Sequence, residues 1–295
     1  GITFGSSIGS TIQTVNGDIT LSGLLTASSS TSTAAINFFR DASGSNNHIN
    51  ILSNTGDIEI TGSRGSTSAW CIGHASSGHV YFGSPFSGWT ATGNITFNFD
   101  VFDQAASYGF KVKTLGNVVY QPVSASFGKT HLFPANSNYI LAESAASLTI
   151  GKADNTADIT ISSAQNIAGD LTIFGGILTL NGNLTTTNNG NISLFSNSAL
   201  AGITAGRAIT AAGTMTYAPQ GTSFSASVSY PITNLTLSCK GLTIGKVGNG
   251  ANVTIGSNTS IDGPINIYGG ALALNANLSS TSLTTGDILL RGITL

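Results

Sequence analysis

Apolar residues recur along the chain in short alternating runs. Ile159-Thr160-Ile161, Leu171-Thr172-Ile173, Leu178-Thr179-Leu180 and Ile192-Ser193-Leu194 each put aliphatic side chains on one face of an extended segment and a hydroxyl on the other. That is the period of a half-buried β-strand. Clusters of Gly, Asn, Asp and Ser separate the runs and predict turns. No helix is needed to account for the pattern. The runs also return at regular intervals, 19 residues from Ile159 to Leu178 and 21 from Leu171 to Ile192. This recurrence predicts an all-β fold, a parallel β-solenoid (β-helix) with two or three short strands per coil. Ile and Leu would face the interior, Thr and Ser the outside, and each strand would pair with its equivalent in the next coil.

A longer period lies above the coil. Leu148-Thr149-Ile150-Gly151-Lys152 returns as Leu242-Thr243-Ile244-Gly245-Lys246, Ala157-Asp158-Ile159-Thr160-Ile161 as Ala251-Asn252-Val253-Thr254-Ile255, and Ile173-Phe174-Gly175-Gly176 as Ile267-Tyr268-Gly269-Gly270, all at an offset of 94 residues. At an offset of 97, Gly93-Asn94-Ile95-Thr96-Phe97 returns as Gly190-Asn191-Ile192-Ser193-Leu194, and Phe133-Pro134 as Tyr230-Pro231. These offsets mark a tandem repeat of about 95 residues, framed as unit one over 1–147, unit two over 148–241 and a shortened unit three over 242–295. Unit one is longer than the others: Gly17 to Gly93 spans 76 residues where Gly169 to Gly190 spans 21, so extra coils or an insert are expected within 27–92. The stretch 109–146, rich in aromatics and Pro, reads as less coil-like, a candidate lateral β element. A repeat of this length also permits tandem β-sandwich domains, the competing all-β reading.

Composition narrows the function. Only 7% of residues are charged, ten Lys and Arg against twelve Asp and Glu for a net charge of −2, while 40% are hydrophobic. Soluble domains average about 25% charged residues, and nucleic-acid binding rests on phosphate neutralisation, so no nucleic-acid partner is expected. High hydrophobicity with low net charge also argues against disorder. No window of about twenty apolar residues and no basic-then-apolar leader is present, so neither a membrane span nor a signal peptide is expected. The chain starts and stops within patterned sequence and reads as a piece of a longer polypeptide. Cys71 and Cys239 fit no metal or redox spacing; they read as small buried apolar residues, with a long-range disulfide as the alternative.

The repeat phrases, Leu-Thr-Ile-Gly-Lys, then Ala-Asn-Val-Thr-Ile, then Pro264-Ile265-Asn266-Ile267-Tyr268-Gly269-Gly270 through Asn277-Leu278, resemble those of giant repeat-containing cell-surface adhesins of Bacteroidota, the SprB-like gliding-motility type. The resemblance covers units two and three, and unit one outside 27–92. It implies an extracellular location on the cell surface, export by type IX secretion, and a long filament used for attachment or gliding motility. The partners it implies are a polysaccharide or solid surface, flanking repeats of the same longer chain, and the outer-membrane gliding and secretion machinery.

Candidates for chemistry are few, and no enzyme activity is expected. Asp18, Asp57, Asp170 and Asp287 all follow Gly in one phrase, and Asn94 and Asn191 replace them elsewhere. A site that accepts Asp or Asn alike predicts a turn residue bonding its own backbone, not a catalytic acid. Lys152 and Lys246 recur as repeat features. No cofactor and no metal site are expected; structural calcium is the one option, with Asp100 and Asp103 or Asp154 and Asp158 as candidate ligands. The segment 27–92 concentrates aromatics, from which Trp70, Tyr81, Phe86 and Trp89 are selected as candidate ligand-binding residues. Aromatic faces stack on sugar rings, while the competing role for such side chains is to plug the core. The expected function is therefore a structural and adhesive segment, with a lectin-like or polysaccharide-active β-helix using 27–92 as the alternative. Ice binding through Thr arrays is disfavoured by irregular Thr spacing.

Overall fold

The computed structural model describes residues 2–6, 10–26, 34–40, 48–64, 70–75, 79–85, 88–102, 110–134, 140–141, 144–198, 206–230 and 235–293. Among them every paired strand runs parallel to its partner and no helix occurs. The chain is an all-β parallel solenoid. It divides into two compact units, Gly1–Lys152 and Ala153–Leu295.

The first unit has three stacks of strands. One holds Ile2–Ser6, Ala34–Arg40 and Trp70–Ala75. A second runs Ser10–Thr14, Ile49–Ser53, Val80–Gly83, Phe110–Lys113, Ile140–Leu141. The third runs Ile19–Leu25, Ile58–Arg64, Ile95–Phe99, Asn117–Gln121, Ser147–Ile150. In the second unit the longest stack is Asp170–Gly175, Ile192–Ser196, Met215–Ala218, Leu242–Ile244, Ile265–Gly269, Ile288–Gly292. Register pairs Ile159 with Leu178 and Leu171 with Ile192, the same pairs whose spacing predicts a coil. Such parallel, one-coil-apart pairing excludes tandem sandwiches, whose sheets are antiparallel.

Alternation does the sorting. In Ile95–Phe99 the buried residues are Ile95, Phe97 and Phe99, while Thr96 and Asn98 face outward. Stacking aligns them into interior columns. One column in the first unit is Ile19, Ile58, Ile95, Val118, Leu148, and one in the second is Leu171, Ile192, Met215, Leu242, Ile265. Each fully buried aliphatic side chain contributes about 1.5–3 kcal/mol relative to exposure.

Coil length differs between the units. In the second, register advances by 21 to 27 residues per coil, from Leu171 through Ile192, Met215, Leu242 and Ile265 to Ile288. In the first, Ile19 pairs with Ile58 and Ile58 with Ile95, giving wide coils of 39 and 37 residues, before Ile95, Val118 and Leu148 return to coils of 23 and 30. The surplus length within 27–92 therefore lies in line: Ala34–Arg40, Ile49–Ser53, Ile58–Arg64, Trp70–Ala75 and Val80–Gly83 all sit in the stacks. The stretch 109–146 is not a lateral element either. Phe110–Lys113 and Asn117–Gln121 pair with the strands of the coils on both sides. Phe110, Tyr120, Phe127 and Phe133 are buried within it, where Tyr120 stacks on Phe97 at 4.7 Å and packs against Phe133 at 5.0 Å. Cys71 and Cys239 are free and buried, and burial raises both thiols above their ordinary pKa.

Candidate functional site

The Gly-Asp phrase sits at the corner entering the longest stacks. Asp18 Oδ1 accepts the Asp57 main-chain N–H at 2.8 Å, and Asp57 Oδ1 accepts that of Asn94 at 2.7 Å. Asn94 Oδ1 accepts that of Asn117 at 3.0 Å. In the second unit Asp170 Oδ1 takes the Asn191 N–H at 2.7 Å, and Asn191 Oδ1 that of Thr214 at 2.8 Å. The expected bond to the residue's own turn is thus replaced by a bond to the next coil. Either Asp or Asn serves, because only one acceptor oxygen is needed. The preceding glycines are required for space: a β-carbon at Gly56 would strike the Gly17 carbonyl, one at Gly93 that of Gly56, and one at Gly116 that of Gly93.

Other repeat features are equally structural. Asn155 and Asn249, equivalent at the offset of 94, are fully buried and donate from Nδ2 to the carbonyls of Phe174 at 2.7 Å and Tyr268 at 2.8 Å. Lys152 Nζ donates to the Val123 carbonyl at 3.3 Å and Lys246 Nζ to that of Gln220 at 3.0 Å. Of the calcium candidates, Asp103 lies outside the described residues. Asp100 Oδ1 accepts from the N–H and hydroxyl of Ser124, both at 2.9 Å, and Asp158 Oδ1 from the Ile177 N–H at 2.8 Å. Among the described residues no group of three or more His, Cys, Asp or Glu is placed to hold a metal ion.

The four candidate ligand-binding residues separate. Phe86 and the side chain of Trp70 lie outside the described residues; the Trp70 backbone opens the strand Trp70–Ala75 opposite Ala34. Trp89 is half-buried in the irregular segment before Ile95. Tyr81 is half-buried on the outer face of Val80–Gly83, in register with Asn50 on one side and Lys111 on the other. Stacking builds a small aromatic patch there. His48 and His79 stand one coil apart with rings stacked at 5.9 Å, the His48 ring meets Tyr81 edge-on at 4.9 Å, and Lys111 Nζ lies 5.7 Å from the Tyr81 ring centre. Burial lifts the Tyr81 phenol above its ordinary pKa. Its chain neighbour Phe82 points the opposite way, into the core against Phe38, Phe97 and Phe110. The aromatic richness of this region therefore divides between core and surface. Lys111 escapes a linear reading because only register brings it beside Tyr81; its alternation in Phe110-Lys111-Val112-Lys113 is the available signal.

No protein-family model, no curated protein and no solved structure matches this chain. Among the described residues, no helix is long and apolar enough to cross a membrane.

Proposed function

We propose that the chain is a non-catalytic, load-bearing and adhesive segment of a long extracellular surface filament, of the gliding-motility adhesin kind, that attaches to polysaccharide or solid surfaces. The observation that carries this reading is the self-copying corner, in which an Asp or Asn of each coil bonds the main chain of the next. Such a device repeats without limit and distributes load over many identical bonds. Its carboxylates are engaged with backbone, which favours a structural over a catalytic role. A surface with 7% charge supports contact with neutral polymers and solids without selection by charge. The edge strand Ile288–Gly292, with Ile288, Leu289 and Leu290 exposed, suits cover by a further coil of a flanking repeat. Export through type IX secretion and engagement with outer-membrane machinery belong to the same proposal.

Adsorption tests it. The purified chain should be retained on sensors coated with neutral polysaccharide or bare silica, and retention should be unchanged between about 0.05 and 0.5 M salt because few charges are available to screen. Failure to adsorb to either surface, or release on raising the salt, would contradict the reading. The second reading, glycan recognition in the first unit, is favoured by the Tyr81 patch; Tyr81→Ala and Trp89→Ala should then abolish glycan binding while the fold persists.

A further inference from the structure

The last coil of the second unit copies an inner one. Leu278–Ser280 stands where Leu184–Thr186 does, at the offset of 94, and Gly190-Asn191-Ile192-Ser193-Leu194 returns as Gly286-Asp287-Ile288-Leu289-Leu290 at an offset of 96. Both strands of the earlier coil are covered on their far side. Arg207–Thr210 pairs with Leu184–Thr186, placing Ile209 beside Leu184, and Met215–Ala218 pairs with Ile192–Ser196, placing Met215 beside Ile192 and Tyr217 beside Leu194. Among the described residues Leu278–Ser280 and Ile288–Gly292 are instead the final members of their sheets. Exposure records the difference: Ile192 and Leu194 are 0% exposed, whereas Ile288 and Leu290 are 43% and 40% exposed.

Side-chain acceptors also hold the cover of the earlier coil. Asn183 Oδ1 accepts the Ala208 N–H at 3.0 Å, and Asn191 Oδ1 accepts the N–H and the hydroxyl of Thr214, both at 2.8 Å. Asn277 and Asp287 occupy those two places in the last coil, and among the described residues neither side chain accepts a hydrogen bond. The main chain is poised in the same way. Ile192 donates to the Thr214 carbonyl at 2.9 Å; in the last coil Ile265 donates to Asp287 and Ile293 to Gly269, so alternation turns the N–H groups of Ile288 and Leu290 to the open edge. The cover is constrained too, because a β-carbon at Gly213 would strike Asn191 Oδ1.

A row of aliphatic side chains, two side-chain acceptors and an edge of main-chain N–H groups together select a parallel strand pair in one register. We propose that this end face is the docking site for one coil of a flanking repeat, patterned on 206–218. That coil carries an aliphatic residue in the place of Ile209, glycine in that of Gly213, and counterparts of Met215 and Tyr217 seated on Ile288 and Leu290. The inference rests on the filament reading and names the surface through which successive repeats join. The first coil of a second copy fits less well: it is of the wide kind, 39 residues from Ile19 to Ile58, where the cover of Ile192 follows after 23.

The test extends the 295-residue chain by a copy of its own residues 200–230 joined after Leu295, which continues the offset of 96, and follows amide hydrogen exchange by NMR. The Ile288 and Leu290 amides should exchange at least about tenfold more slowly in the extended chain than in the parent. Gly213→Val or Met215→Asp, placed in the appended copy alone, should return them to the parent rate while the original coils stay protected. Asp287→Ala should cut the protection severalfold. Sedimentation of the parent chain reports the competing occupant. Amides that stay unprotected in the extended chain, protection unchanged by the appended-copy variants or by Asp287→Ala, or a parent that dimerises with the same amides protected would each overturn the assignment. Adsorption to polysaccharide and silica is read on the same samples, so docking without adsorption would count against the adhesive reading alone.

Discussion

Asp57 Oδ1 takes the main-chain N–H of Asn94 at 2.7 Å and its Nδ2 at 3.1 Å, while the Asp57 N–H is in turn held by Asp18. Asp57→Ala removes the acceptor of the Asn94 N–H in an exposed bond and should cost about 0.5–1.5 kcal/mol, whereas Asp57→Asn keeps the oxygen and should cost less than about 0.5 kcal/mol. Chemical denaturation of the two variants measures the difference; equal losses would mean that charge, not the acceptor, is what the corner needs. The interchange of Asp and Asn was legible in the chain itself, but the partner was not, because the bonded residue lies 37 positions away. His131 makes a separate case. It is buried against Phe127 at 4.8 Å and Phe99 at 5.4 Å, and burial lowers its pKa from 6.5 to about 3. Between these values the unfolded chain binds a proton that the folded chain does not, so the stability present above pH 6.5 is lost as pH falls toward 3. His131→Phe should flatten the melting temperature over that window; a variant with the parent's acid sensitivity would show that other groups control it.

At the scale of the strand, register was the most legible property. Alternation fixes which residues face inward, and stacking in register follows because a slip of one residue would turn every Ile outward. The wide coils of the first unit were less legible, since the segments between their strands carry no recurring phrase. The aromatics of 109–146 misled because their rings pack against one another inside the coil, Tyr120 on Phe97 and against Phe133, and a linear sequence does not show that pairing. Phe97 and Thr96 test the sorting within one strand. Phe97→Ala should cost about 3–5 kcal/mol through the lost ring and the cavity beside Tyr120 and Phe82, while Thr96→Ala stays within about 0.5 kcal/mol. Comparable losses from both, read from denaturant midpoints, would contradict the inward assignment.

For the molecule as a whole, the tandem offsets and the low charge together support a structural role, and each unit repeats the same corner bonds. Solenoids of this kind hold together by nearest-neighbour contacts between coils, so stability approximates a sum over interfaces instead of one all-or-none core. A load applied along the chain then meets one coil at a time. Adhesion was not written in any single motif; it enters through the resemblance of the repeat phrases and the neutral surface, and the candidate ligand residues proved divided between the Tyr81 patch, the separate half-buried Trp89 and undescribed positions. The most direct measurement is to pull the single chain by its two ends with an atomic force microscope. The expected trace releases the second unit in steps of one coil, 21 to 27 residues, or about 70–95 Å of contour length each. A single release of the whole unit, or extension with no resisting force, would contradict a load-bearing segment built coil by coil.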